Sequence, residues 1–273
     1  MSEQEPKLRR AESNSEDFPW WLAAVLLIGA TLIWRVASDD LYLTILSTLM
    51  RGVQLTVFVT LISFSLASLL GLGLALAAGS RWLVIRQGAR FYIEVVRGIP
   101  IIVLLLYVAF VLAPALVELR NWLGGYFGAD PIRTRSFPLL WRAIIALMIA
   151  YSAFISEVFR AGLQSVDKGQ IEAAKALGLN RWQRFRLVVF PQAIRTILPP
   201  LGNDFVALVK DSSLVSVLGV ADVTQLGKLT AVGNFRYFET YNVVAVIYLT
   251  LTIGLSLLLR RLEKHLRRRE QQR

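Results

Sequence analysis

The chain has 273 residues, 30 Lys and Arg against 19 Asp and Glu, a net charge of +11, and 55% apolar but only 18% charged residues. Soluble domains carry about 25% charged and 45–50% apolar residues, so this balance reads as a chain that uses lipid as part of its solvent. There is no Cys and a single His, His265 in a charged C-terminal tail, and no GxxxxGK followed by Ser or Thr, which excludes disulfide scaffolds, thiol catalysis, Cys-ligated metal, a His-based triad and a nucleotide-binding P-loop.

A bilayer-spanning helix needs about 20 mostly apolar residues. In chain order, uncharged windows of 17, 29 and 20 residues occupy Phe18–Trp34, Gly52–Ser80 and Gly98–Val117. Ser136–Ser156 is interrupted only by Arg142, Leu187–Leu218 carries Arg195, Asp204, Lys210 and Asp211, and Thr240–Leu259 is again an uncharged window of 20. Six spanning helices are expected, hence an all-α integral membrane fold. The chain divides into a tail at 1–17, an extra span and loop at 18–50, a core at 51–261 with a loop at 165–191, and a basic tail at 262–273.

The basic residues sort by side. Lys7, Arg9 and Arg10 precede the first span. Arg81, Arg86, Arg90 and Arg97 follow the second. Seven lie between Arg160 and Arg195, and seven between Arg260 and Arg273, so 21 of the 30 fall on one face of a six-span topology. The positive-inside rule makes that face cytoplasmic and puts both termini there. The charge excess is thereby explained without nucleic acid. A basic stretch before Phe18–Trp34 resembles a signal peptide. The acidic Glu12, Glu16 and Asp17, and the bulky Trp34-Arg35-Val36 where a cleavage site needs small residues, favour an uncleaved anchor.

Residues 165–191 read SVDKGQIEAAKALGLNRWQRFRLVVFP. Asp167 with Gln170, and Asn180 with Gln183, have the spacing of capping boxes that start two short helices. Ile171, Ala174 and Leu177 share one face of the first. Gly178 is placed to end it in a left-handed conformation. Trp182, Phe185 and Val189 share a face of the second, which Pro191 is expected to close. Such an amphipathic pair either lies on the membrane surface or docks a cytoplasmic partner, and the residues alone leave both open.

Glu172-Ala173-Ala174, three residues, Gly178, nine residues and Val188-Val189-Phe190-Pro191 resemble the EAA loop of permease subunits of bacterial ATP-binding-cassette importers. Val188 and Phe190 stand where that pattern has Ile and Leu, and both keep an apolar contact. Ala161-Gly162-Leu163-Gln164, Arg97-Gly98-Ile99-Pro100 and the run from Pro199 to Val217 extend the resemblance to the polar amino-acid subfamily, over roughly Leu55–Arg261. The resemblance implies a five-helix, MetI-like permease core in the bacterial inner membrane. It makes Glu172, Ala173, Ala174, Gly178 and Pro191 a coupling element for a separate ATPase subunit. It also implies a second permease subunit, the same or homologous, and a periplasmic amino-acid-binding protein. No cofactor is expected in this chain, since ATP and magnesium belong to the ATPase. A stand-alone secondary transporter or channel is the competing reading; no clear internal repeat or intramembrane proton relay is visible for it.

Ionisable groups at membrane depth usually face a cavity or each other. Glu157 and Arg160, at i,i+3, form either an interfacial ion pair or a wall of the substrate path. Pro199, Pro200 and Gly202 argue against a straight fifth helix. Asn203, Asp204, Asp211 and Ser212 follow as substrate-path candidates, and Asp211 either meets a substrate ammonium or neutralises Lys210. Tyr151, Ser152 and Ser156 are lesser candidates. Gly71 and Gly73 are expected to permit close helix approach.

Overall fold

The computed structural model describes residues 34–271 together with 27 and 29–31, with side chains through Leu262. Phe18–Trp34 lies largely, and Lys7, Arg9, Arg10 and Arg273 lie wholly, outside the described residues. Among the described residues the fold is all-α, and four helices are long and apolar enough to cross a membrane: Asp40–Ala78, Ile101–Gly125, Leu139–Gln164 and Tyr237–Leu262. The helix Phe190–Asp211, within the expected fifth span, is not among them.

Helix α1 (Asp40–Ala78) starts where Asp39 accepts a hydrogen bond from Leu41 N at 2.9 Å. It runs unbroken through residues 50 and 51, where the extra segment at 18–50 is expected to meet the core. Its 39 residues extend about 58 Å, roughly twice the hydrocarbon thickness. Apart from Thr60, its buried positions recur every three or four residues: Tyr42, Ile45, Leu49, Gly52, Thr56, Val59, Ser63, Ala67, Gly71, Ala75 and Ala78. In the second half these are all small, which lets backbones approach in a medium where apolar bulk gives helices no preference for each other over lipid. Gly71 shows the effect: an added Cβ would sit 3.0 Å from Ser152 O and from the Ile155 side chain. Gly73, expected to do the same, faces open space. Leu61, Leu69 and Leu76 point outward.

Helix α2 (Leu83–Gly98) packs along α1 and the later α5. Ile99 and Pro100 are extended and break the helical path, as the steric bias of a residue preceding proline favours. Helix α3 (Ile101–Tyr107), a π turn (Val108–Leu112) and helix α4 (Ala113–Gly125) then form one continuous rod. Helix α5 (Leu139–Gln164) is the most enclosed of the four spans and forms its longest contact with α1. Val59, Leu105, Ile144, Leu147, Ile155 and Leu208 are fully buried around it.

After α5 come α6 (Lys168–Ala176), α7 (Arg181–Arg184), a π turn (Phe185–Val189) and α8 (Phe190–Asp211). Two sequence expectations fail here. Pro191 does not close a helix: the chain stays helical from Arg181 to Asp211. Proline lacks the N–H of the regular ladder and presses on the carbonyl four residues back. The π turn directly before it widens the ladder, and Phe190 N reaches back to Phe185 O. Pro199 and Pro200 likewise lie inside α8 without ending it, as happens where packed neighbours re-satisfy the freed backbone. The change of path comes twelve residues later, in a 3₁₀ segment (Ser212–Leu218) closed by Gly219. Helix α9 (Val223–Asn234) and the long α10 (Tyr237–Gln271) complete the bundle. Asp222, fully buried, caps α9 through Thr224 N and Gln225 N and accepts from Tyr248 OH of α10 at 3.1 Å.

Candidate functional site: a coupling loop and an intramembrane carboxylate

In the loop at 165–191, Asp167 Oδ1 accepts from Gly169 N at 2.6 Å and Gln170 N at 3.3 Å, which starts α6. Gly178 ends it at φ +77°. Gly178 N bonds Lys175 O and Leu179 N bonds Ala174 O, the two-bond closure that needs a left-handed residue between them. The capping box of α7 forms in both directions at 2.9 Å, between Asn180 and Gln183.

Ala174 is buried, at 3% exposure, while Glu172, Ala173 and Gly178 are exposed. The EAA segment thus turns one alanine inward and presents Glu172 and Ala173 outward. Leu177, expected on the buried face with Ala174, is 81% exposed, because it sits at the C-cap where the chain leaves the helix. Trp182 is 65% exposed and stacks on Phe185 with ring centres 5.9 Å apart. Leu177 and Trp182 therefore give the loop an apolar outer surface. Its base is fixed: Val166, Ala193 and Ile197 form a buried cluster flanked by Leu163, Ile171 and Val189, and Ser165 Oγ lies 3.1 Å from Thr196 Oγ1. Since α7, the π turn and α8 are continuous, displacement of this surface is carried into α8.

Further along α8, Asp211 accepts a 2.7 Å hydrogen bond from Tyr151 OH at the middle of α5. That contact answers the sequence question about Asp211: its partner is a tyrosine, not the adjacent Lys210, whose side chain is exposed. Asp204, two turns back, has Oδ2 buried without a hydrogen bond. Burying a carboxylate oxygen unpaired is costly. Asn203 is exposed. Ser212 is fully buried, and its hydroxyl donates to Val209 O of α8. Ser156 is likewise spent on Ala153 O. Ser152 lies 2.9 Å from Tyr92 OH, which also donates to Ile149 O, and together they join α2 to α5. Arg97 lies 5.8 Å from the Phe154 ring centre, and Phe154 is tilted against Tyr151 at 6.2 Å. A cation, two rings and a carboxylate are thereby strung along α5. Glu157 and Arg160 pair as their spacing suggests, and Arg160 also reaches Gln164 Oε1 at 3.2 Å.

One buried charge carried only a faint sequence signal. Arg142, the lone charge in its span, is buried, and its guanidinium donates to three backbone carbonyls: Phe137 at 2.9 Å, Ala109 at 2.9 Å and Thr134. Ala109 lies in the π turn of the α3–α4 rod. The arginine therefore ties that rod to the loop entering α5.

The family model for the binding-protein-dependent transport system inner membrane component matches residues 67–271. The glutamine transport system permease protein GlnP of Escherichia coli (strain K12) is 36% identical over 80% of this chain and 93% of its own length. The probable amino-acid permease protein YxeN of Bacillus subtilis (strain 168) is 36% identical over 77% and 88%. A solved amino acid ABC transporter chain is 36% identical over 80% of this chain and 94% of its own, with a TM-score of 0.68. A methionine ABC transporter in an inward-facing form, 21% identical with a TM-score of 0.61, shares the fold. With its spanning bundle, exposed EAA loop and this extent of match, the chain belongs to the family of binding-protein-dependent transport system inner membrane components.

Proposed function

We propose that this chain is the membrane-spanning subunit of an ATP-driven importer of polar amino acids in the bacterial inner membrane, with both termini in the cytoplasm. The observation that carries this reading is mechanical. The exposed EAA surface around Glu172, Ala173 and Leu177 meets, across the turn at Gly178, a helical path that runs unbroken from Arg181 to Asp211, which is hydrogen-bonded to Tyr151 at the middle of α5. A separate ATPase subunit, which holds the ATP and magnesium, grips the loop. Its closure shifts the population between inward-open and outward-open states through contacts that differ between them. A second permease subunit, identical or homologous, encloses the path from the other side, and a periplasmic amino-acid-binding protein delivers the cargo. Asp211 and Asp204 offer carboxylates to a substrate ammonium. The glutamine and amino-acid permeases among the relatives support the choice of cargo.

The test is reconstitution of the chain with an ATP-binding-cassette ATPase and binding protein of the same genome, then uptake of a labelled amino-acid panel. Uptake that stops when ATP is depleted at constant membrane potential is expected. Uptake that follows the potential or a proton gradient without ATP would instead establish a secondary transporter. Because the chain has no Cys, single substitutions Lys7→Cys and Lys264→Cys report the side of each terminus by labelling with an impermeant maleimide. Labelling of intact cells from outside would overturn the orientation.

A further inference from the structure

Away from Asp211, a cleft of about 390 Å³ opens between the end of α1, the middle of α2 and the end of α5, lined by Ala78, Gly79, Arg90, Glu94, Glu157, Arg160 and Gln164. This volume falls within the roughly 300–1,000 Å³ of small-ligand pockets. Its α5 wall is internally satisfied: Glu157 holds Arg160, which is also tied to Gln164. Its α2 wall is not. Arg90 and Glu94 stand four residues apart, a spacing at which opposite charges on a helix normally pair. Both are exposed to solvent where they line the cleft, and they make no ion pair or hydrogen bond among the described residues.

The open wall therefore presents one cation and one anion a helical turn apart. A ligand of single charge would meet one and leave the other unmatched. A zwitterion meets both, its carboxylate on the Arg90 guanidinium and its ammonium on Glu94, as charge-assisted hydrogen bonds. Ala78 and Gly79 keep the floor free of bulk. The position matters as much as the charge. Gln164 is the last residue of α5, and the coupling loop begins at Ser165. A molecule held between α2 and this end braces the two helices next to the loop that the ATPase must move.

We infer that the cleft is a cytoplasmic binding site for a free α-amino acid, distinct from the carboxylates at Asp211 and Asp204, and that its occupancy slows turnover. This rests on the amino-acid cargo proposed above. A ligand bound in one conformation stabilises that conformation by its differential affinity, so accumulated cargo would hold the state in which the cleft is formed.

The experiment uses the complete transporter in phosphatidylglycerol vesicles, which contain no zwitterionic headgroup, with ATP sealed in the lumen and labelled substrate and binding protein outside. With wild type, preloading the lumen with millimolar unlabelled substrate should lower the initial uptake rate severalfold. Arg90→Ala and Glu94→Gln should match wild type within twofold in empty vesicles and lose the slowing. Slowing that persists unchanged in both variants, or a wild type indifferent to lumenal amino acid, overturns the site. If phosphatidylethanolamine in the vesicles slows wild type with an empty lumen but spares Arg90→Ala, the zwitterion is a lipid headgroup and the amino-acid assignment is overturned. If wild type shows no ATP-driven uptake, the importer reading fails by itself. Equilibrium binding of the labelled amino acid to the detergent-purified complex then decides the cleft, which requires a bound fraction that Arg90→Ala loses.

Discussion

Tyr151 and Asp211 are 60 residues apart in sequence and 2.7 Å apart in space, joining the centre of the most enclosed spanning helix to the end of the helix that leads out of the loop at 165–191. Asp211→Asn keeps an oxygen acceptor for Tyr151 but removes the charge. If the carboxylate meets the substrate ammonium, initial uptake falls at least about tenfold, since a hydrogen bond to a charged group contributes roughly 1.5–3 kcal/mol. Tyr151→Phe should cost less. Uptake by Asp211→Asn within twofold of wild type, at equal membrane expression, would reduce Asp211 to a packing partner of Tyr151.

The turn at Gly178 separates conformation from crowding. A Cβ there would meet nothing within 4 Å, but φ is +77°. A branched side chain is penalised by the left-handed backbone alone, by about 1–2 kcal/mol or more, whereas Asn visits this region readily. Gly178→Val should weaken co-purification of the ATPase, and Gly178→Asn should retain most of it. Equal retention of the ATPase by both variants would remove the turn from the coupling element.

Gly71 and Gly73 make a matched pair on one helix. Gly71→Leu forces bulk into Ser152 and Ile155 of α5, and overpacking of this kind costs about 1–3 kcal/mol. Gly73→Leu adds an apolar group on an open face and should stay within about 0.5 kcal/mol. Thermal unfolding followed by size-exclusion in detergent should show a clearly lowered midpoint for the first only.

Arg142→Leu removes the donor for three carbonyls at once. A buried polar group left unsatisfied costs about 1–3 kcal/mol, so a loss of several kcal/mol in stability is expected. Arg142→Lys keeps the charge, but its compact ammonium lacks the planar fork that spans Phe137, Ala109 and Thr134, and it should recover only part. The same thermal assay ranks wild type above Lys and Lys above Leu.

Much of this protein was written in local chemistry. The four apolar spans, the caps at Asp167 and Asn180, the left-handed turn at Gly178 and the Glu157–Arg160 pair each depend on residues within a turn or two of each other. Hydrophobicity, hydrogen-bonding reach and backbone preference suffice to read them. The EAA segment was legible for the same reason, as a short pattern in a loop between spans.

What the sequence could not rank was decided by neighbours from distant parts of the chain. Two glycines two residues apart look alike until α5 lies against one of them. Asp211 and Ser212 are adjacent polar residues in sequence, yet Tyr151 of α5 donates to the first and the second donates to Val209 O. Pro191, Pro199 and Pro200 read as breaks by propensity, yet a π turn and packed helices absorb them, so the second helix of the loop at 165–191 and Asp211 share one continuous helical path. The physical reason is that composition and periodicity set the solvent and local shape of each segment, whereas helix ends, close approaches and the fate of a buried charge depend on which other backbone and side-chain groups arrive beside them.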